Sequence, residues 1–227
     1  MSGLPEPDEK ARVVRGMFDR ISARYDLVNR VMTFGMDTGW RRRAVAELRL
    51  PGDATVADLA CGTGDLCDEL LDAGYRAIGF DFSHGMLLHA RTRAPVAEAD
   101  ILRLPLAAGS LDGATCGFAM RNVTDLGALF GETARVVRTG GRIGFLETAQ
   151  PEGRVMRVGH ALYFKRIVPL IGGALSDAEA YRYLPRSTAY LPEPRRLLTM
   201  AREAGFVQAE RFQLAGGAAQ LLVATRG

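Results

Sequence analysis

The stretch DLACGTGDL, Asp58 to Leu66, decides the fold. An apolar run from Thr55 to Leu59 leads into two glycines one residue apart, and a helical pattern follows. That succession predicts a strand, a tight turn and a helix. Gly62 and Gly64 free the backbone to turn and to approach a ligand at the carboxyl end of the strand. A dinucleotide fingerprint would carry a third glycine at position 67, where this chain has Cys67. Asp58 before the turn and Asp65 after it place negative charge where a pyrophosphate needs positive potential. These acids suit a ligand with no phosphate and a cationic end. S-adenosylmethionine, with its ammonium and sulfonium centres, has that character, whereas nicotinamide and flavin dinucleotides do not. A plain structural turn is the alternative for a lone pair of glycines.

Outward from the loop, short apolar strands are readable at Thr55 to Leu59, Ala77 to Phe80, Val96 to Ala99, Leu111 to Phe118 and Arg142 to Thr148, with helical patterns between most of them. Such alternation predicts a doubly wound α/β fold with a mostly parallel sheet and helices on both faces. Phe206 to Leu214 and Ala218 to Thr225, separated by Gly216-Gly217, read as a closing hairpin. Before the sheet, Val13 to Val31 repeats apolar residues every three or four positions and predicts one amphipathic helix; a second is expected from Asp37 to Leu48. Arg154 to Ile171 and Glu193 to Ala204 read as further helices. The chain thus divides into an N-terminal helical arm, 1–50, and an α/β domain, 51–227, with a helical substrate insertion over about 152–192.

The 227 residues, 48% of them hydrophobic, suffice for a sizeable core. Twenty-nine basic against 26 acidic side chains give a net charge of +3, too little to call for nucleic acid. Cys61, Cys67 and Cys116 lack zinc-like spacing, and their odd number argues against a disulfide framework. No metal site is expected. The opening MSGLPEPDEKAR lacks the apolar core of a signal peptide, and no later apolar run reaches the ~18 residues a membrane span needs. A cytoplasmic protein is the expectation.

Two further features follow the glycine loop at successive strand ends. GFDFSHGML, Gly79 to Leu87, puts Asp81 where a carboxylate accepts both hydroxyls of a ribose. A turn acid or helix cap is the alternative there. AEADILRLPL puts Asp100 after the third strand, placed to meet an adenine amino group, with Ile101 to cover the ring.

From MFDRISARYDLVNRVMTFGMDTGWRRRAV through DLACGTGDL, GFDFSHGML and GFAMRNVTD to AYRYLP and AREAGF, nearly the whole chain resembles the ubiquinone/menaquinone biosynthesis C-methyltransferases. These are a branch of the class I S-adenosylmethionine enzymes. The resemblance implies a seven-stranded Rossmann-like sheet whose last strand is antiparallel. It also implies cofactor contacts at Thr63, Asp81, Asp100 and Ile101, with Asn122 close by. Together with Asp58, Gly62, Gly64 and Gly117, these form the expected cofactor set. The sequence departs from the family at Gly117, where a serine is common, and at Glu147-Thr148-Ala149-Gln150-Pro151, where EFSKP is usual. It departs again at Leu222, where a histidine is common, and lacks the Gly-Tyr-Lys tail.

What the resemblance implies chemically is carbon methylation of a quinol, most specifically demethylmenaquinol to menaquinol. A ring carbon beside a hydroxyl attacks the sulfonium methyl, so the protein must align the two and ease the loss of one proton. Arg121, after the fourth strand, is expected at the mouth of the cofactor cleft. Because its guanidinium stays protonated it is a poor base, and its expected role is to stabilise the developing phenolate and orient a water. Asn122 is grouped with it as catalytic. An Arg121–Asp125 pair that merely closes the loop is the alternative. Tyr25 and Asp26 of the arm, with Tyr163 and Tyr181, are candidates for ring packing and hydroxyl contact, although tyrosines at such spacing also serve as ordinary core. The apolar stripe of the arm beside Trp40-Arg41-Arg42-Arg43 suits peripheral contact with the inner face of an anionic membrane. A solvated helix end is the competing reading, and a homodimer stays open. Rival functions are methylation of a soluble phenolic or polyketide metabolite, and a non-catalytic S-adenosylmethionine-binding component of a quinone-biosynthesis assembly. Retention of Arg121 and Asn122 counts against the latter.

Overall fold

The computed structural model describes residues 7–151 and 187–227, with positions 153, 159, 162, 163, 166 and 168 between them. Most of the helix expected from Arg154 to Ile171, and Tyr181, lie outside the described residues. In chain order the helices are α1 (Pro7–Ile21), α2 (Tyr25–Met32), α3 (Met36–Ala46), α4 (Asp65–Asp72), α5 (His84–Leu88), α6 (Leu126–Val136) and α7 (Pro194–Glu203). The strands are β1 (Thr55–Leu59), β2 (Arg76–Asp81), β3 (Val96–Glu98), β4 (Leu111–Gly117), β5 (Val137–Thr148), β6 (Phe206–Leu214) and β7 (Ala219–Arg226).

The seven strands form one sheet in the order β3-β2-β1-β4-β5-β7-β6. All neighbours from β3 to β5 pair in parallel, and β7 inserts antiparallel between β5 and β6. This is the Rossmann-like class I methyltransferase fold, preceded by a helical arm. The chain reverses direction across the sheet between β1 and β4, the switch point where open α/β sheets bind ligands at the carboxyl ends of their strands.

Local chemistry sets the boundaries. Asp125 caps α6 by accepting from Ala128 N–H (2.9 Å), which leaves Leu126, Leu129, Phe130 and Ala134 at helical spacing to bury one face against the sheet. Phe130 stacks on Phe145 of β5 with centroids 5.7 Å apart, both rings fully buried. Pro194 opens α7, where a missing N–H costs nothing. β5 begins five residues before the expected Arg142, because its register against β4 shifts between Leu111 and Gly113. Gly140, at φ +78°, makes the irregular step.

The arm corrects two expectations. The single helix over Val13 to Val31 is two helices, separated by a 3₁₀ turn at Ser22–Arg24. The Ser22 hydroxyl donates to the Asp19 carbonyl (3.0 Å), a back-bond that competes with continuation of the helix. Nor does the apolar stripe face outward: Val14, Met17, Ile21 and Val28 are buried. No helix among the described residues is long and apolar enough to cross a membrane.

Candidate active site

The carboxyl ends of β1, β2, β3 and β4 converge on a cavity of about 390 Å³. Gly62, Asp81, Asp100, Ile101, Gly117 and Asn122 all line it. Two strand ends enter it through non-glycine residues with left-handed backbones, Ala60 after β1 and Phe118 after β4, both at φ +57°. Such backbones concentrate at functional sites, where the surrounding structure over-determines them.

Asp81 is buried, and its two oxygens accept from Gly62 N–H and Ser83 N–H, each at 2.8 Å. Burial pushes its carboxyl up to about 6, against the pull of these backbone donors. Asp100 is exposed at the rim, where Oδ1 accepts from Leu102 N–H (2.9 Å). Gly117 is required for space, because a Cβ there would stand 2.7 Å from Leu66 Cδ1, so the serine common at this position would have to displace Leu66.

Three residues expected among the cofactor contacts stand off the cavity wall. Asp58 is buried beneath the loop, where its Oδ1 accepts from the Thr115 hydroxyl (2.8 Å) and its Oδ2 from Cys67 Sγ (3.8 Å). Burial pushes this carboxyl up to about 7. Gly64 serves packing: at φ +97° its missing Cβ would meet Thr92 Cβ at 2.4 Å. Thr63 turns to the arm and donates to Asp26 Oδ1 at 2.5 Å, joining a candidate cofactor residue to a candidate substrate residue. The arm is fastened over the cavity elsewhere too. Lys10 donates to the Val123 carbonyl (2.8 Å), Arg15 pairs with Glu98, and Asp19 accepts from the Ser83 hydroxyl (2.6 Å) and Gly85 N–H (2.9 Å).

A second cavity, about 180 Å³, lies between the arm and the sheet. Its lining includes Asp37, Trp40, Arg41, Arg121, Thr148 and Tyr163. Tyr25 and Phe118 line both cavities and so form their common wall. The Tyr25 hydroxyl bonds Asn29, and burial raises its pKa although Arg121 and Arg41 pull the other way. Tyr163 donates to the Met32 carbonyl (2.6 Å).

Arg121 is not at the mouth of the cofactor cleft, nor does it pair with Asp125, which caps α6. It is buried, and its Nη1 donates to Glu147 Oε1 (2.5 Å) and to the Phe118 carbonyl (2.6 Å). Among the described residues four buried side-chain polar atoms have no partner, and two belong to neighbours here: Arg121 Nε and Asn122 Oδ1. Both atoms are closed off from solvent, while Arg121 as a residue lines the second cavity and Asn122 the first.

The Trp40-Arg41-Arg42-Arg43 run divides between core and surface. Arg41 is buried between Asp37 (2.5 Å) and Asp65 (3.0 Å) and lines the second cavity. Arg42 pairs with Glu69 (3.2 Å), and Arg43 pairs with Glu47 (2.5 Å) and lies over the Phe212 ring. Arg41 alone is withdrawn into the core, whereas Arg42 and Arg43 stay exposed on the surface. Arg41 and Glu147 are the site residues sequence reasoning missed. The signal for Glu147 is a carboxylate ending the apolar run Ile143-Gly144-Phe145-Leu146, a residue type almost never buried without a partner.

The model of the ubiE/COQ5 methyltransferase family matches residues 6–226. The chain belongs to that family. It is 44% identical over 211 residues to the demethylmenaquinone methyltransferase of Roseiflexus castenholzii, with 89% of each chain covered. It is 39% identical to the ubiquinone/menaquinone biosynthesis C-methyltransferase UbiE of Syntrophotalea carbinolica, covering 89% of this chain and 90% of that one. Among solved structures, a methyltransferase of Thermotoga maritima superposes with a TM-score of 0.67 at 19% identity, covering 93% and 99% of the two chains. Geranyl diphosphate methyltransferase gives 0.60 at 14% identity, covering 84% and 85%. These two show the fold alone.

The family member is an S-adenosylmethionine-dependent methyltransferase. Its first cavity suits that cofactor: the carboxylates Asp81 and Asp100 line it and are acceptors, matching a ligand rich in hydroxyl, amino and ammonium donors. The volume lies within the roughly 300–1,000 Å³ usual for small-molecule sites.

Proposed function

We propose that the chain methylates a ring carbon of a prenylated quinol, converting demethylmenaquinol to menaquinol. The observation that carries this reading is the pair of cavities sharing Tyr25 and Phe118, with Asn122 lining one side and Arg121 the other. Relatives named as demethylmenaquinone methyltransferases at 44% and 42% identity support the ring class. S-adenosylmethionine supplies an electrophilic methyl on a sulfonium. Asp81 accepts the ribose hydroxyls, Asp100 and Ile101 take the adenine, and Asn122 lines the same cavity. On the other side the Arg121 guanidinium donates to the quinol oxygen whose negative charge grows as the ring carbon attacks. Trp40, Phe118 and Tyr163 offer the ring flat apolar surface. Leu27, Val31, Phe34 and Met36 are exposed, and the last two line the second cavity. They suit an apolar tail leaving the site, and through it contact with a membrane surface, better than the paired arginines do.

The deciding experiment supplies purified chain with chemically reduced demethylmenaquinol and methyl-labelled S-adenosylmethionine. Label is expected on the ring carbon by mass spectrometry. Transfer to oxygen, or only to untailed phenols, would refute the assignment in favour of a soluble phenolic substrate.

Asp81 also sets a pH dependence. Below about 6 its carboxyl is protonated and one acceptor position is lost, so cofactor affinity is expected to be level above pH 7 and to weaken as pH falls through 6. Without ligand the sign is opposite for stability: a raised pKa means ionised Asp81 opposes folding at pH 7, and that opposition is relieved as pH falls through 6. Calorimetry near pH 6 in buffers of different ionisation enthalpy should show proton release on binding. Asp81→Asn should abolish it, and uptake instead of release would contradict the proposed contact.

A further inference from the structure

We propose that Glu147 is a positioning residue for methyl transfer, acting through Arg121 on the wall between the two cavities; the inference rests on the functional reading above. Glu147, the penultimate residue of β5, is fully buried and lines neither cavity. Its Oε2 accepts from the backbone N–H of Arg121 (3.0 Å) and its Oε1 from Arg121 Nη1 (2.5 Å), so one carboxylate grips both ends of one residue. Oε1 also accepts from Thr148 N–H (2.7 Å) and the Thr148 hydroxyl (3.1 Å). Arg121 and Thr148 both line the second cavity.

The grip extends to Phe118. At φ +57° Phe118 holds a backbone that L side chains rarely adopt, and three contacts keep it there. Its N–H donates to the Leu146 carbonyl (2.7 Å), its carbonyl accepts from Arg121 Nη1 (2.6 Å), and its ring lies 6.2 Å from Trp40 between centroids. The Nη1 that Glu147 binds is thus the same nitrogen that fixes the Phe118 carbonyl. With Nη1 spent on these two acceptors, the guanidinium is left as a donor of fixed direction in the wall of the second cavity. Glu147 sets where that donor stands relative to the methyl arriving across Phe118, and spacing of this kind governs the rate of a displacement more than binding.

The test is a double-mutant cycle joined to a spectroscopic readout. Glu147→Gln cannot accept from both Arg121 groups, because its amide nitrogen would face one of those donors. Turnover is expected to fall at least about tenfold, while the KM for quinol and the Kd for S-adenosylmethionine change less than about threefold. In an Arg121→Gln background the same change should cost less than about twofold, because the residue through which it acts is gone. Equal losses in both backgrounds would overturn the inference. Glu147→Asp keeps the charge with a shorter reach, and serves if the glutamine variant folds poorly; its turnover should fall between wild type and Glu147→Gln. With arginine labelled by nitrogen-15, the Arg121 guanidinium should show slow rotation in the wild-type chain and fast averaging in either variant. An unchanged spectrum would also overturn the inference. A wild-type chain inert on quinol sinks the substrate assignment by itself, and the arginine spectrum still decides whether Glu147 holds Arg121.

Discussion

Replacing Asp81 with alanine is expected to weaken S-adenosylmethionine binding by about a hundredfold or more. Two hydrogen bonds from ribose hydroxyls to a charged acceptor are worth about 1.5–3 kcal/mol each, and each 1.4 kcal/mol is a factor of ten. The substitution also leaves the N–H groups of Gly62 and Ser83, both buried at the carboxylate, without their acceptor. Each unsatisfied donor costs about 1–3 kcal/mol, so the thermal midpoint should fall as well. Titration calorimetry reads the first effect and thermal unfolding of the ligand-free chain the second. Unchanged affinity, or tighter binding of NAD than of S-adenosylmethionine, would remove the ribose contact from consideration.

Arg121→Ala is expected to lower turnover by about a hundredfold or more, the usual consequence of removing a donor to a developing oxyanion. Cofactor affinity should change little, because Arg121 lines the second cavity and not the first. Stability suffers too. Glu147, fully buried, loses its cationic partner, and breaking a buried pair from one side costs about 3–5 kcal/mol. The two effects separate in a double replacement, Arg121→Met with Glu147→Leu. Apolar residues of similar volume should return part of the stability, since no charge is then stranded although the N–H groups of Arg121 and Thr148 lose their acceptor, and should return none of the turnover. Recovery of both would reduce Arg121 to a structural role.

Much of this molecule is legible along the chain because its signals are local. Strand β1 falls on Thr55–Leu59 as the apolar run indicates, and the closing hairpin appears as β6 and β7 within a residue of its expected limits. Gly62, Asp81, Asp100, Ile101, Gly117 and Asn122 come to one cavity because each sits at or shortly after the carboxyl end of a strand, and a parallel sheet brings such ends together whatever the loops between them contain. Periodicity and turn chemistry act over a few residues, so a sequence reports them directly.

Tertiary structure decided the rest. Arg121 and Glu147 are 26 residues apart and meet only because β4 and β5 pair in parallel, Gly117 opposite Leu146. Arg41 looked like one of three surface cations until α3 set it between Asp37 and Asp65, the latter on α4. Asp58 near the end of β1 and Thr63 and Gly64 of the glycine loop serve β4, the arm and Thr92 rather than the cavity. Residue type shows that a buried charge needs a partner, but which partner it finds depends on which surfaces the fold presses together. Desolvation makes that choice decisive, because a carboxylate or guanidinium withdrawn from water must be answered by whatever group lies within hydrogen-bonding reach.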